Sequence, residues 1–241
     1  MSNEIQPGTL YVVSTPIGNL DDLTIRALNV LKGVDLIAAE DTRTTLVLLR
    51  HYEITKPLVS YYSYNEARRT PELVEKLAAG SAIALVSDAG TPGISDPAYR
   101  VVRAALDRGI PVVAIPGAAA FLPALITSGL RMDRFVFEGF LPVKKGRKTK
   151  LESLAREERT IILYESPHRL LRTLTDLKGA LGERRVSVAR ELTKKFEEVV
   201  RGTLTSAYEA FASRSIKGEF VLVIAGADDA LPAEEEAPDE A

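Results

Sequence analysis

The chain has 241 residues, 46% of them hydrophobic and 27% charged, enough apolar side chain for one large domain or two small ones and too much for wholesale disorder. It contains no cysteine and no tryptophan and only two histidines, His51 and His168, which excludes disulfides and cysteine-ligated metal and argues against a histidine-rich metal site. The formal net charge of −2 is uneven, because seven acids and no base fall between Asp228 and Ala241 and leave the rest of the chain mildly basic. That acidic, Pro/Ala-rich tail is expected to be disordered. Met1 to Gly8 is polar and lacks the apolar core of a signal peptide, and the one long apolar stretch, Pro111 to Leu130, is broken by Pro116, Gly117, Pro123 and Gly129. A soluble, cytoplasmic protein is expected, with no membrane partner.

Thr9–Ser14 reads as a short strand, followed at once by the turn Thr15-Pro16-Ile17-Gly18-Asn19-Leu20 and an amphipathic helix over Leu23–Lys32. The turn lacks both G-x-G-x-x-G and the P-loop pattern, so classical dinucleotide or phosphate binding is not supported. Val34–Ala39 is a second strand, ending in Glu40-Asp41-Thr42-Arg43-Thr44-Thr45 at a helix start. A solvated N-terminal cap explains Asp41 and Thr42 but not Arg43 beside two acids, which also makes this a candidate functional loop. Leu58–Tyr62 is a third strand, and a helix runs from Tyr64 to about Ala79.

Ala82–Val86 is a fourth strand, and the long loop Ser87-Asp88-Ala89-Gly90-Thr91-Pro92-Gly93-Ile94-Ser95-Asp96-Pro97 follows it. Asp96 is placed as N-cap and Pro97 at the first position of the next helix. Glycines allow close backbone approach to a ligand, and Asp88 puts a carboxylate at the strand tip, a partner for an amine or a ribose hydroxyl. Pro111–Ile115 is a fifth strand, ending in the small-residue turn Pro116-Gly117-Ala118-Ala119-Ala120. Such a turn suits a flat ligand or close helix–sheet packing equally. Strands alternating with helices predict a mostly parallel sheet covered on both faces, with ligands at the carboxyl ends of its strands.

Beyond Gly129 the strands come closer together, which predicts a second, mixed sheet. Phe135–Phe140 is a strand, and Lys144–Lys150 carries five bases in seven residues. With Arg131 and Arg134 that run is either a solvated face or a phosphate contact. Thr160–Tyr164 is a strand leading to Ser166 and Pro167, placed to start a helix, with His168 as a capping or packing residue. Arg184–Ala189, Glu197–Leu204 and Gly218–Gly226 read as further strands, with a helix from about Ser206. The expected organisation is an α/β domain over 1–120, a second α/β domain over 121–227, and the tail over 228–241.

Read together, these loops resemble one family. Thr-Pro-Ile-Gly-Asn-Leu at 15–20, Glu-Asp-Thr-Arg at 40–43, the loop at 87–97, Glu-Gly-Phe-Leu-Pro at 138–142, Tyr-Glu-Ser-Pro-His-Arg at 164–169 and Arg-Glu-Leu-Thr-Lys at 190–194 are similar to motifs of the tetrapyrrole methylase-like, S-adenosylmethionine-dependent methyltransferases. The match covers about residues 8–226 in order and is strongest to the RNA-methylating branch. The resemblance implies two α/β domains with a cofactor cleft between them, a homodimer, and 2′-O-methylation of a cytidine in the decoding region of 16S rRNA, with the assembled 30S subunit as the expected substrate. It places Pro16 and Gly18 near the S-adenosylmethionine, Ser87, Asp88 and Ala89 at its methionine end with Pro92 and Ile94 beside them, and Ala118 and Ala119 at the small-residue turn. Tyr164, Leu192 and Gly218 fall where the family grips adenine and ribose.

Two positions depart from the family pattern. Ala118-Ala119 stands where relatives more often have Pro-Ser, and Ala98 where glycine is expected. Glu40, Asp41 and Glu198 are the candidate bases for the ribose hydroxyl, and Arg43 and Lys194 the candidates for holding a phosphate or the forming alkoxide. No metal or redox cofactor is called for. A small-molecule methylase acting on a tetrapyrrole or on diphthine, or a non-catalytic RNA-binding assembly factor, are the rival readings.

Overall fold

In the computed structural model, which describes residues 4–229, neighbouring residues of the first strand face two separate helical layers. Strand β1 (Leu10–Val13) sends Leu10 into one buried cluster and Tyr11 and Val13 into another, as the two-residue period of a strand requires. In β2 (Leu36–Ala39), Leu36 and Ala38 join Leu10, while Ile37 and Ala39 join Tyr11. The alternation repeats in β4 (Ile83–Val86), with Ile83 and Leu85 on one side and Ala84 and Val86 on the other. With β3 (Leu58–Ser60) and β5 (Val112–Ile115) these strands form a sheet of order β3-β2-β4-β1-β5 in which every pair is parallel.

Helices α1 (Ile25–Gly33) and α2 (Thr42–His51) bury Val30, Leu31, Leu48 and Leu49 on the Tyr11 face. Helices α3 (Glu66–Ala78) and α4 (Tyr99–Asp107) bury Leu73, Leu77, Val101 and Ala105 on the Leu10 face. Right-handed crossovers dictate this division, because the chain moves one way across the sheet from β1 to β3 and back the other way from β3 to β5. Each fully buried leucine contributes about 1.5–3 kcal/mol. The two faces therefore hold the sheet far more strongly than any surface ion pair.

Several predicted helix starts move. The first helix begins at Ile25 rather than Leu23, because the Thr24 side chain caps it by accepting the Ala27 N–H at 3.1 Å, and Leu20–Asp22 forms a separate 3-10 turn. Asp96 is not an N-cap and Pro97 is not at the first helical position. The helix starts at Tyr99 with Ala98 at the cap position and no side-chain cap, and the half-buried Asp96 carboxyl lies near Ser87 and Glu40 instead.

The chain divides after Ala119 into two compact units. The second carries a five-stranded sheet of order β6-β7-β10-β8-β9, formed by β6 (Phe135–Phe140), β7 (Thr160–Glu165), β8 (Arg185–Arg190), β9 (Glu198–Thr203) and β10 (Phe220–Ile224). Only β6 and β7 pair in parallel, so the sheet is mixed. Helices α6 (Arg147–Leu154), α7 (Leu170–Leu181) and α8 (Leu204–Ala212) cover one face, packing Leu151, Leu174 and Phe211 on Ile161, Val188 and Leu222. Helix α5 (Phe121–Ser128) packs on β7, β8 and β10 without joining that cluster, so it takes the opposite face.

Ser166 and Pro167 do not start a helix. They lie in a turn closed by the Arg169 N–H on the Ser166 carbonyl at 3.1 Å, and α7 begins at Leu170. Helix α8 begins at Leu204, ahead of Ser206, because Thr203 and Ser206 form a reciprocal capping box. Asp228 and Asp229, the first acids of the expected tail, belong to a short 3-10 turn, and Asp229 pairs with Arg185. The other five acids, at 234–240, lie outside the described residues. Among the described residues no helix is long and apolar enough to cross a membrane.

Candidate active site

Parallel strands discharge their loops at one edge of a sheet, and in the first unit three of those loops are stitched together. The backbones of Thr15 and Gly90 exchange hydrogen bonds of 2.8 and 3.1 Å, and the Thr15 hydroxyl donates to the Ser87 carbonyl at 3.2 Å. The hydroxyls of Ser14 and Thr91 meet at 2.8 Å, and Thr91 donates onward to the Ala118 carbonyl at 2.9 Å. Gly90 holds a φ of 89°, which L side chains rarely adopt, and a Cβ on Gly117 would stand 2.7 Å from the Cβ of Ser14. Close packing of the loops thus accounts for the glycine of the small-residue turn. The hydroxyl missing at Ala118-Ala119 is matched by a backbone carbonyl bonded to Thr91.

A fourth loop brings carboxylates. Asp41 caps α2 by accepting the Arg43 N–H at 2.8 Å, and its carboxylate also chelates the Arg43 guanidinium. Those hydrogen bonds, from the side chain and the backbone of Arg43, hold Asp41 down to about 2. Glu40 accepts the Asp88 N–H at 3.3 Å, and Asp88 accepts the Asp41 N–H at 2.9 Å. Burial raises the Glu40 carboxyl above the usual range; the Asp88 N–H opposes this, and the negative charges of Asp88 and Asp41 add to it. Burial likewise raises Asp88 against the opposing Asp41 N–H. Asp96 is pushed up to about 6 by burial first and then by the nearby Glu40, against a hydrogen bond from Ser87. Four carboxyls and one guanidinium therefore share this edge, and one carboxyl, Asp96, was read from sequence only as a cap.

Between the first loop, α2 and the Ser87–Ala89 segment lies a pocket of about 330 Å³, lined among others by Pro16, Ile17, Gly18, Val47 and Asp88. Thr45 also lines it, and its Oγ1 is buried without a hydrogen-bond partner among the described residues. Pro92 is buried and Ile94 half-buried further along the long loop.

In the second unit, the strand pairing, parallel between β6 and β7 and antiparallel elsewhere, places Phe140, Tyr164, the Arg190–Lys194 segment, Glu198 and Gly218 at one edge of the sheet. The Tyr164 ring is flanked edge-on by Phe137 and Phe140 at centroid distances of 5.0 and 5.7 Å, and its hydroxyl accepts the Phe121 N–H at 3.2 Å. Leu192 is buried, and neither its N–H nor its C=O has a hydrogen-bond partner among the described residues. Buried backbone groups almost always find partners, so the amide of this buried residue is a candidate contact for a ligand.

Lys194 reaches Glu191 at 2.9 Å and Glu219 at 2.7 Å. Burial works to lower its pKa, but the two carboxylates outweigh it and raise the pKa. Glu198 pairs with Arg214 at 2.8 Å and Arg190 at 3.6 Å, so its carboxylate is already engaged by two cations. Glu40, Asp41 and Arg43 are thus brought together with Asp88. Lys194 and Glu198 each sit in an ion-pair group of their own.

The basic run is only partly solvated. Arg147 is buried, donating to Asp176 at 2.7 Å, to Thr173 at 2.9 Å and to the Pro142 carbonyl at 3.1 Å, and Lys150 pairs with Glu138. Thr173 in turn donates to buried Glu165 at 2.6 Å, which also accepts the Ser166 N–H at 2.8 Å and lies beside Arg169. This network pins the segment and leaves Lys144, Lys145 and Lys148 outside. Lys144, Lys148 and Arg172 rim an open groove of about 750 Å³ between α6 and α7. Lys148 lies 3.8 Å from Glu152 and Arg172 3.6 Å from Asp176, exposed pairs at the groove's rim, and Arg131 is engaged with Asp133. His168 is exposed rather than packed. Among the described residues no group of three or more His, Asp and Glu is placed to hold a metal.

A doubly wound first unit, with its polar loops gathered at the carboxyl ends of parallel strands, defines a ligand-binding α/β protein. The family model of the Tetrapyrrole (Corrin/Porphyrin) Methylases matches residues 9–208, and the chain belongs to that family. Among its relatives, the ribosomal RNA small subunit methyltransferase I of Synechocystis sp. is 61% identical over 222 residues, covering 91% of this chain and 80% of the relative. The protein of that name from Thermotoga maritima is 47% identical, covering 91% and 99%. The fold is shared with diphthine synthase (TM-score 0.69, 14% identity, 90% of this chain and 89% of that one). It is shared too with the uroporphyrin-III C-methyl transferase of Thermus thermophilus complexed with S-adenosyl homocysteine (TM-score 0.64, 18% identity, 90% and 97%).

Proposed function

We propose that this protein is a methyltransferase of small-subunit ribosomal RNA, and that it transfers the methyl group of S-adenosylmethionine to the 2′-hydroxyl of a cytidine in the decoding region of 16S rRNA. The observation that carries the reading is the 61% identity, over nearly the whole chain, to a relative named as an rRNA small subunit methyltransferase. We further propose that the substrate is the assembled 30S subunit, that the protein works in the cytoplasm and that it acts as a homodimer. The exposed cations around the groove between α6 and α7 supply the charge that an RNA backbone needs.

The residues present fit the cofactor. Asp88 offers a carboxylate for the amine of its methionine end, beside Ser87, Ala89, Pro92 and Ile94. Pro16, Gly18, Ala118 and Ala119 supply close-packed backbone. The buried residue Leu192 supplies an N–H and a C=O with no hydrogen-bond partner among the described residues, next to Tyr164 and Gly218. When bound, S-adenosylmethionine supplies an electrophilic methyl carbon on a sulfonium sulfur. The chain's own task is to orient the ribose hydroxyl and take its proton. Glu40 suits the base role because burial raises its pKa towards the working pH. Asp41 suits it less, since Arg43 already holds its charge. Arg43 and Lys194 are cations that could face the neighbouring phosphate.

The test is methyl transfer from radiolabelled S-adenosylmethionine to unmethylated 30S subunits and to free 16S RNA, followed by nucleoside analysis. Label in 2′-O-methylcytidine is expected, with the 30S subunit preferred. No label in either RNA would favour a small-molecule methylase if S-adenosylhomocysteine raises the Tm, and a non-catalytic RNA-binding factor if it does not.

A further inference from the structure

The loop after β8 is built against backbone preference. Glu191 and Thr193, on either side of Leu192, adopt φ of 50° and 67°, a left-handed region that ordinary side chains avoid. Such strain persists only where the surroundings over-determine it. Here they do so through one carboxylate. Glu191 Oε1 accepts the Glu219 N–H at 3.0 Å and the Lys194 ammonium at 2.9 Å, while the Glu191 N–H donates to the Glu219 carbonyl at 3.0 Å. Lys194 also reaches the Glu219 carboxylate at 2.7 Å, and the Thr193 N–H donates to Glu197 at 2.6 Å.

Gly218 completes the arrangement. Its φ is 96°, and a Cβ there would stand 2.5 Å from the Glu191 Cγ and 2.7 Å from its Cδ. The Glu191 side chain therefore lies in space that only glycine leaves open. Between the two strained residues sits Leu192, buried and with its backbone donor and acceptor unpartnered among the described residues. The loop carries strain and keeps an amide unsatisfied, an arrangement that serves a ligand better than it serves the fold.

We propose that Glu191 is a positioning residue for the cofactor: its carboxylate, lying over Gly218, locks the left-handed loop so that the N–H and C=O of Leu192 stand ready for the donor–acceptor edge of a purine. The inference rests on the cofactor reading above. It assigns no contact between Glu191 and the cofactor itself. Lys194 becomes part of the lock, since its ammonium is the charge that holds Glu191 in place.

The test compares unmutated protein with Glu191→Ala, Glu191→Gln and Gly218→Ala. The readouts are the Kd for S-adenosylhomocysteine by calorimetry, the Tm of the ligand-free protein, and KM and kcat for methyl transfer. Glu191→Ala is expected to raise Kd and the KM for S-adenosylmethionine about tenfold or more, with kcat within about threefold. Glu191→Gln, which keeps an acceptor for the Glu219 N–H, stays within about threefold of the unmutated Kd. Gly218→Ala copies Glu191→Ala, because its Cβ displaces the same side chain. Unchanged Kd in Glu191→Ala overturns the lock, as does a loss of affinity matched by a loss of folded protein. If the unmutated protein does not bind S-adenosylhomocysteine at all, the cofactor reading falls and the lock with it.

Discussion

Asp88 Oδ1 accepts the backbone N–H of Asp41 at 2.9 Å, so the tip of β4 is tied to the entry of α2 by a carboxylate that is also the proposed partner of the cofactor's amine. The two roles separate by substitution. Asp88→Asn keeps an oxygen for the Asp41 N–H and loses the charge, so it is expected to raise the KM for S-adenosylmethionine about 10- to 100-fold with little change in Tm. Asp88→Ala loses both and lowers the Tm as well. Steady-state kinetics beside differential scanning calorimetry would show the split.

Glu40 and Asp41 are adjacent in sequence and opposite in acidity. If Glu40 takes the hydroxyl proton, log kcat rises with pH until Glu40 is ionised and then levels. Glu40→Gln should lower kcat about 10²–10⁴-fold and abolish that rising limb. Asp41→Asn should keep the limb, because Asp41 is ionised throughout. Single-turnover rates from pH 5 to 9 would decide, and a limb that survives in Glu40→Gln would exclude this base.

Asp96, pushed up to about 6, sets a pH dependence of stability. A carboxyl whose pKa is higher folded than unfolded binds its proton more tightly in the native state, so stability falls as pH rises from about 4 to 6 and is then flat. Asp96→Asn removes this step. Allowing for partial solvent access, the variant should be about 1–2 kcal/mol more stable than the unmutated protein at pH 7.5, with no difference below pH 4. Urea unfolding at the two pH values measures it.

Lys144, Lys148 and Arg172 are expected to contact phosphates. Replacing all three with alanine should reduce the slope of log K for RNA against log salt by about 2–3. S-adenosylhomocysteine affinity should not change. An unaltered slope would move the RNA to another surface.

Glu165, within the motif at 164–169, is buried and engaged with Thr173, the Ser166 N–H and Arg169. Glu165→Ala leaves Arg169 and Thr173 without that partner and should cost about 3–5 kcal/mol by urea denaturation. A variant that still folds should keep its affinity for S-adenosylhomocysteine.

The alternation of strands and helices was legible because each buried strand is a short apolar run bounded by turn residues, as in Ala82–Val86 before Ser87. The polar loops were legible because charged and small residues follow those runs directly. What could not be read was where side chains turn. Asp96 and Pro97 have the local signature of a helix start, yet the helix begins two residues later at Tyr99 with no side-chain cap. Arg147 looks like its neighbours Lys145 and Lys148, and only Thr173 and Asp176, distant in sequence, draw it inside. The left-handed backbone at Glu191 and Thr193 carries no sequence signal, since glycine or asparagine is the residue expected at such positions.

In the first unit, the loops that hold the candidate site residues leave the sheet at the carboxyl end of a strand. The returns at the other end, around Gly80 and Gly109, are tight turns at φ of 97° and 69°, where an added Cβ would meet nothing within 4 Å. A fluorophore or an affinity handle inserted in the turn at Gly109, with the glycine itself kept for its positive φ, would therefore sit at the end of the first sheet opposite the candidate site residues. Such a graft could report on binding while leaving the chemistry alone. The polarity of a parallel sheet thus marks where this protein can be instrumented.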